Sequence, residues 1–321
     1  MKRVLPALLL LTACATPPGG GTSAQEVLVF SGLPTASSIT TQQTFLPIVA
    51  MLRRETGAEI RVQESTSYDA LVDGMRDGTV DIGALGPLSY VVARERGARV
   101  TPVSAQVKEK GADPSYRAFG FTHADSSITS LTDLRGRKVC YADRMSTSGF
   151  LYPSAALHEI GIDPLRDTAP VFTSGHEATA LAVANRQCDA GFAFDEMVDR
   201  HLVERGQLQP GQLTKFWTSG PIPGAPLVVA DDLPEPLRGR IVTALRFKAT
   251  ADHLRANGFC QGECPVGDAT AWGYAEVDDS LYDPVRAVCR RVGRTSCAPR
   301  PSPGLSPAPA IGRTSGPRPS G

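Results

Sequence analysis

The segment RKVCYADRMSTSGFLYPSAALHEIG, residues 137–161, predicts a β-strand that leads directly into an α-helix. Residues 137–142 form the predicted strand, and the helix runs from Ser146 to about Ile160, where Gly161 ends it. Similar strand–helix units precede and follow this segment. Repeated units of this kind build parallel sheets covered by helices. The sequence therefore predicts an α/β fold with mostly parallel sheets.

The strand–helix units fall into two series, and the chain crosses between them twice. We expect a first lobe from residues 26–121 and 220–297 and a second lobe from residues 122–219. Two lobes joined by two crossings leave a cleft between them. Because ligands of such sheets bind at the carboxyl ends of the strands, we expect the ligand in this cleft.

Residues 1–13 have the anatomy of a secretory signal peptide, with a basic start, a short apolar run and small residues before a cleavage site. The motif LTAC at residues 11–14 fits a bacterial lipobox, in which Cys14 becomes the first mature residue and carries lipid. The alternative is an ordinary signal peptide with an incidental cysteine. Residues 14–25 predict a flexible tether. The predicted location is the outer face of the cytoplasmic membrane, with lipid on Cys14 as the only membrane contact.

The 321 residues include 33 Lys and Arg and 33 Asp and Glu. This balance removes the main argument for nucleic-acid binding, which needs a basic surface. Residues 298–321, mostly Pro, Ser, Gly, Ala and Arg, predict a disordered tail. Because both ends carry basic and no acidic residues, the body between them is mildly acidic and must bind any anion by local geometry.

Six further cysteines lie in the body: Cys140, Cys188, Cys260, Cys264, Cys289 and Cys297. An even number in an exported chain favours three disulfides, although fifteen pairings are formally possible. Proximity favours Cys260–Cys264 and Cys289–Cys297, which leaves Cys140–Cys188. The alternative is a metal site at the last four cysteines, but no His lies at zinc-finger spacing. We therefore expect no metal and no cofactor.

Three segments at predicted strand ends carry candidate binding residues. Ser146, Thr147 and Ser148 begin a helix whose free N–H groups and dipole suit an anion, although hydroxyls there also serve as ordinary caps. His176 begins another helix and could donate to an oxyanion. Asp195 and Glu196 follow a third strand, where carboxylates meet a ligand proton or ammonium, or cap the next helix.

Four segments in order along the chain resemble the phosphate, phosphite and phosphonate substrate-binding proteins of ABC transporters. They are GPLSY at 86–90, DRMSTSGFLYP at 143–153, GHEATALAVANRQCDAG at 175–191 and WGYAEVDDSLYDPVR at 272–286. The resemblance spans about residues 27–290. It implies a type II periplasmic-binding-protein fold, whose two lobes close on a small phosphorus oxyanion.

The resemblance also implies which residues touch the ligand. The set is Ser146, Thr147, Ser148, His176, the first-lobe tyrosines Tyr68 and Tyr90, and either Asp195 or Glu196. Members that bind aminoalkyl phosphonates have an additional acid in the second crossing, where this chain has Ala225. Aminoalkyl phosphonates are therefore less favoured than phosphate, phosphite or other small phosphonates. Since the matched set contains no Lys or Arg, we expect neutral donors to hold the anion.

The predicted function is capture of the anion for an ABC importer. The sequence has no P-loop, so a separate permease and ATPase would drive transport by what we expect to be a monomeric binding protein. One alternative is a receptor that senses the same anion for a membrane kinase. Another is a hydrolase that uses Ser146 or Ser148 with His176 and Asp195, although no G-x-S-x-G motif is present.

Overall fold

The computed structural model describes residues 27–34, 40–262, 264–267 and 271–293. The predictions for the signal peptide (1–13), Cys14, the tether (14–25), Cys297 and the tail (298–321) lie outside these ranges. The strands of the described part are β1 (Val27–Gly32), β2 (Glu59–Glu64), β3 (Ile82–Ala84), β4 (Val100–Val107), β5 (Ser115–Tyr116), β6 (Ala118–His123), β7 (Lys138–Tyr141), β8 (Ala169–Phe172), β9 (Ala190–Phe194), β10 (Leu213–Thr218), β11 (Ile222–Pro223), β12 (Pro226–Ala230) and β13 (Gly273–Glu276).

The α-helices of the same part are α1 (Thr41–Thr56), α2 (Tyr68–Arg76), α3 (Pro87–Glu95), α4 (Tyr152–Glu159), α5 (His176–Ala184), α6 (Leu202–Glu204), α7 (Leu237–Phe247), α8 (Ala251–Ala256) and α9 (Asp283–Arg291). Turns of π-helix over Thr147–Leu151 and Met197–His201 lead into α4 and α6. None of the helices in the described ranges has the length and apolar character needed to cross a membrane.

The strands form two main sheets, one for each lobe. The first has the order β13-β4-β12-β3-β1-β2 and the second the order β10-β6-β9-β7-β8. As predicted, β1–β3 and β7–β9 are parallel, because a helix connects each strand to the next. The strands nearest the crossings, β12 and β6, run antiparallel to their neighbours, so each sheet is mixed.

The two crossings lie side by side as a short antiparallel pair, β5 with β11. Strand β6 follows the first crossing at once and pairs with β9 and β10 in the second sheet. The second lobe therefore begins near Ala118, and the predicted boundary after residue 121 is too late. The error arose because β6 follows β4 and β5 without an intervening helix, so in sequence it resembles one more strand of the first series.

Apolar packing fills each lobe and also joins the two. In the first lobe, Ile48 and Leu52 of α1 are fully buried. One apolar cluster combines α3 and α9 of the first lobe with Met145 and Leu151 of the second. Helix α9 thus packs on the first lobe, and the two lobes share a core on one side of the cleft.

Two of the favoured disulfides are present. Cys140 is bonded to Cys188 and Cys260 to Cys264. Cys289 is also disulfide-bonded. Because Cys260 and Cys264 bond to each other, their thiolates do not form the alternative metal site. No group of three or more His, Cys, Asp or Glu suited to a metal ion occurs within the described ranges.

Candidate ligand-binding cleft

A cavity of about 470 Å³ lies between the two lobes. Its walls come from loops that follow strands of both sheets: Gly86 after β3, Lys108 after β4, Ser146 after β7, His176 after β8 and Asp195 after β9. The carboxyl ends of the parallel strands therefore meet at this cavity, as expected for an α/β fold.

The hydroxyl segment after β7 forms part of the cavity wall. Ser146 caps the helical turn that follows, because its Oγ accepts a hydrogen bond from the Gly149 N–H at 3.0 Å. Thr147 Oγ1 accepts from the Leu88 N–H of the first lobe at 2.8 Å. Ser146, Thr147 and Ser148 are all at most 3% exposed and line the cavity. Ser146 is therefore both the cap of this turn and part of the cavity lining.

Gly149 gives this turn its close packing. A Cβ at this position would lie 2.6 Å from the Ala142 Cβ, 2.8 Å from the Ser146 Oγ and 3.1 Å from the His176 Cε1. The first two distances are shorter than real Cβ contacts, and the third is tighter than most of them. Glycine is therefore needed to keep Ser146 and His176 together.

His176 begins α5 and is 4% exposed. Its Nε2 lies 3.2 Å from the Ser146 Oγ, and its ring packs edge-on against Phe194. Burial lowers the pKa of His176 to about 3, so the ring is neutral at pH 7. Its Nδ1 has no hydrogen-bond partner in the part of the chain described. The ring can thus offer one N–H to an anion without carrying a positive charge.

Of the two predicted tyrosines, the structure brings only Tyr68 to the cavity. Its hydroxyl is buried near Ser146, without a hydrogen bond of normal geometry among the described residues. Tyr90 does not belong to the cavity lining. Its hydroxyl donates to Asp279, and its ring packs against Tyr282. The assignment of Tyr90 to the ligand is therefore not supported, since its hydroxyl already has a partner inside the first lobe.

A different tyrosine, Tyr116, lines the cavity from the first crossing. Burial raises its pKa above the ordinary value, and hydrogen bonding by Ser148 and Thr147 offsets part of that rise. Its hydroxyl therefore stays protonated at neutral pH and lies beside the hydroxyl segment. Nothing in the sequence pattern distinguished Tyr116, because a two-residue strand has no periodicity.

Both predicted acids line the cavity, where they meet a lysine of the first lobe. Lys108 Nζ lies 2.7 Å from Asp195 Oδ2 and 3.3 Å from Glu196 Oε1. Asp195 Oδ2 also accepts from the Arg117 N–H, and its Oδ1 accepts from the Glu196 N–H. Asp195 therefore caps its own chain segment and also forms an ion pair across the cleft.

The expectation that the site contains neither Lys nor Arg is wrong. Lys108 and Arg205 both line the cavity. Arg205 lies 3.5 Å from the carboxylate of Glu177, whose side chain is 4% exposed. Both cations are thus partnered by carboxylates of the chain. The sequence does not predict them, because neither the end of β4 nor the end of α6 carries a recognisable binding motif.

The geometry does not form the triad of the hydrolase alternative. Ser146 is within reach of the His176 Nε2, but the Nδ1 of the same ring has no partner in the described residues. Asp195, the predicted third member, bonds instead to Lys108 and to two backbone N–H groups. A nucleophile–base pair with no acid to orient it lacks the arrangement that activates a serine.

The first lobe also has a helix start in the cavity wall, at α1. There the Glu64 carboxylate accepts from the N–H groups of Thr41 and Gln42, at 2.9 and 3.1 Å. Thr40 and Gln43 form a capping box at the same end. The anion-binding groups of α1 are therefore occupied by the chain itself.

Comparison with known proteins supports the same fold and class. A family model described as the periplasmic substrate-binding protein of phosphonate ABC transporters matches residues 30–256. The phosphate-import protein PhnD of Mycolicibacterium smegmatis is 38% identical over 281 residues, which cover 85% of this chain and 88% of that protein.

Solved structures show the same architecture. The binding-protein component of an ABC phosphonate transporter from Pseudomonas aeruginosa has a TM-score of 0.72 at 27% identity, covering 82% of this chain and 85% of that one. PhnD1 of Prochlorococcus marinus, in complex with methylphosphonate, has a TM-score of 0.71 at 18% identity, covering 84% and 99% of the two chains. These matches confirm the predicted two-lobed fold.

Proposed function

The chain belongs to the ABC-transporter family of periplasmic phosphonate-binding proteins, and from that premise we propose that it captures a small phosphorus oxyanion by closing its cleft. Phosphate, phosphite and small phosphonates are the candidate ligands. The observation that supports this most is the group of hydroxyls at the start of the helix after β7, which lies in the wall of an inter-lobe cavity. No bond of the ligand is made or broken.

Hydrogen bonds from neutral groups account for the binding. Ser146, Thr147 and Ser148 supply hydroxyls, and the helix start adds N–H groups with a favourable dipole. Tyr68 and Tyr116 add phenol hydroxyls whose raised pKa keeps them protonated. Because Ser146, Thr147, Ser148 and Tyr68 are buried, each hydrogen bond from them to a phosphorus-bound oxygen is stronger than it would be in water.

Cleft closure couples binding to a change that a transporter can recognise. Contacts between the lobes already exist at Thr147 with Leu88 and at Lys108 with Asp195. A ligand that contacts both walls stabilises the closed arrangement over an open one, and the paired crossings β5 and β11 form the hinge. The closed form would dock on a permease whose partner ATPase drives uptake.

The cellular setting follows from the family and the sequence. Export is expected for a periplasmic binding protein, and the motif at residues 11–14 supports a lipid anchor on Cys14. Both walls of the ligand site belong to one chain, so the site needs no second copy, and we expect the protein to act as a monomer.

The test is calorimetry with phosphate, phosphite, methylphosphonate and 2-aminoethylphosphonate, on the wild type and on Ser148→Ala. Loss of one charge-assisted hydrogen bond should weaken binding of the preferred anion by roughly 10- to 100-fold. Ser154→Ala is the matched control, because Ser154 is also buried but donates to the Phe150 carbonyl and lies outside the cavity lining. Absence of binding by all four anions to the wild type would contradict the proposal, as would equal effects of the two variants.

A further inference from the structure

Lys108 places a positive charge of the protein itself against the acids of the cleft. It follows β4 in the first lobe, and its carbonyl accepts from the Trp272 N–H at 3.0 Å, which fixes the backbone. Its Nζ reaches across the cleft to Asp195 at 2.7 Å and Glu196 at 3.3 Å. All three side chains line the cavity. An ammonium group therefore already lies where the cleft would attract one.

Asp195 has little capacity left for another cation, and Glu196 already faces the same ammonium group. Asp195 Oδ2 accepts from Lys108 and from the Arg117 N–H, and Oδ1 accepts from the Glu196 N–H. Their side chains are only 13% and 19% exposed. A ligand ammonium would have to displace Lys108, which would leave a partly buried lysine without its partner. Such an exchange gains no ion pair and costs the desolvation of a second cation.

The same lysine changes the balance of charge that an anion meets. The charged side chains of the cavity lining, within the described ranges, are Glu64, Asp195 and Glu196 against Lys108 and Arg205. Without Lys108 three carboxylates would oppose one guanidinium. Burial works against the charge on Lys108, but the hydrogen bond to Asp195 and the attraction of both acids raise its pKa, so it is positive at neutral pH.

We propose that Lys108 is a specificity-determining residue: its tethered ammonium occupies Asp195 and Glu196, so the cleft selects phosphorus anions without a cationic substituent over zwitterionic aminoalkyl phosphonates. This inference rests on the proposed function and adds the class of ligand that the site rejects. It also assigns a role to the two acids, which neutralise the charge of Lys108. The ligand oxyanion is then bound by the hydroxyls of Ser146, Thr147 and Ser148.

The experiment compares two ligands that differ only in the ammonium, ethylphosphonate and 2-aminoethylphosphonate, by calorimetry. The wild type should prefer ethylphosphonate by about tenfold or more, the value of one unmatched charged group. Lys108→Met keeps most of the side-chain length and removes the charge. It should bind 2-aminoethylphosphonate about tenfold more tightly than the wild type, and ethylphosphonate several-fold more weakly, because two acids are left uncompensated.

Two further variants separate the charge from other effects of substitution. Lys108→Arg should keep the wild-type preference, since it retains a cation. Lys110→Met is the matched control: this exposed neighbour pairs with Asp252 at 3.3 Å, outside the cavity lining, and its loss should change neither affinity. In the Lys108→Met background, Asp195→Asn should abolish the gained affinity for 2-aminoethylphosphonate.

An unchanged ratio of the two affinities in Lys108→Met would overturn the inference while leaving the proposed function intact. A wild type that prefers 2-aminoethylphosphonate would also overturn it. This measurement needs no variant, so the inference can be tested even if Lys108→Met does not fold. A wild type that binds no phosphorus anion would instead refute the proposed function, and the role of Lys108 with it.

Discussion

The two lobes each present a helix start to the same cleft, and they treat it in opposite ways. At α1 in the first lobe, the Glu64 carboxylate and the capping box of Thr40 and Gln43 fill the N–H groups. In the second lobe, the turn after Ser146 is capped only by a neutral hydroxyl, next to a neutral His176. Of these two helix starts, only the one after Ser146 is therefore available to an anion.

The comparison shows why a helix start alone does not define an anion site. Both starts have the same dipole and the same unpaired backbone groups in principle. They differ in whether the chain supplies its own negative charge. A carboxylate lies at one start and neutral donors lie at the other. We call the part of the cleft at Glu64 the repelling end and the part at Ser146 the binding end.

The most damaging change to the binding end is Gly149→Ala. The added methyl would meet Ala142, Ser146 and His176 at 2.6–3.1 Å and force them apart. We expect about 3 kcal/mol lower stability in chemical denaturation, the upper range for overpacking, and about 100-fold weaker anion binding by calorimetry.

Gly220→Ala serves as the control for that substitution, because no atom lies within 4 Å of a Cβ there. It should leave both quantities near the wild-type values. Normal affinity in Gly149→Ala would show that the spacing of Ser146 and His176 does not govern binding.

A second prediction concerns the neutrality of the binding end. Burial lowers the pKa of His176 to about 3, from an ordinary 6.5, so between these values the unfolded chain binds a proton that the folded protein excludes. Stability contributed by the neutral ring is present above pH 6.5 and is lost as the pH falls. Between pH 6.5 and 5 the loss is about 2 kcal/mol.

Denaturation of the wild type and of His176→Asn from pH 7 to 5 checks this slope. The variant should lose that part of the pH dependence, whereas replacement of the exposed His158 by Asn should retain it. Parallel slopes for the wild type and His176→Asn would mean that His176 is charged in the folded protein.

The local sequence pattern predicts part of this site, whereas contacts between residues far apart in the chain cannot be predicted from it. The strand-to-helix transition around Ser146 is local, and its hydroxyls lie in the cleft wall. Lys108 and Asp195 are 87 positions apart in the chain. Hydrophobic periodicity does not predict which strand ends lie next to each other, so this ion pair could not be predicted. The choice between Tyr90 and Tyr116 depends likewise on packing: the Tyr90 hydroxyl bonds to Asp279, while the first crossing places Tyr116 in the cavity wall.

The fold shows the same division. Strand–helix periodicity predicted the parallel core of each sheet because every unit is contiguous. The antiparallel strands β6 and β12 are inserted after the crossings, and their places are fixed by pairing with distant strands. The lobe boundary could therefore not be placed from periodicity alone.

The smallest effect is expected at the repelling end, from Glu64→Gln. Loss of the charge at the start of α1 should lower stability by about 0.5–1 kcal/mol, since a neutral amide interacts less with the helix dipole. With one acid fewer in the cavity lining, anion affinity should rise about two- to threefold at low salt and return to the wild-type value at high salt. Calorimetry at two ionic strengths measures this difference.

Glu59→Gln, at the opposite end of β2 and outside the cavity lining, is the control and should not change affinity. Weaker anion binding by Glu64→Gln would show that this carboxylate helps to hold the ligand, and the contrast between the two helix starts would then be wrong.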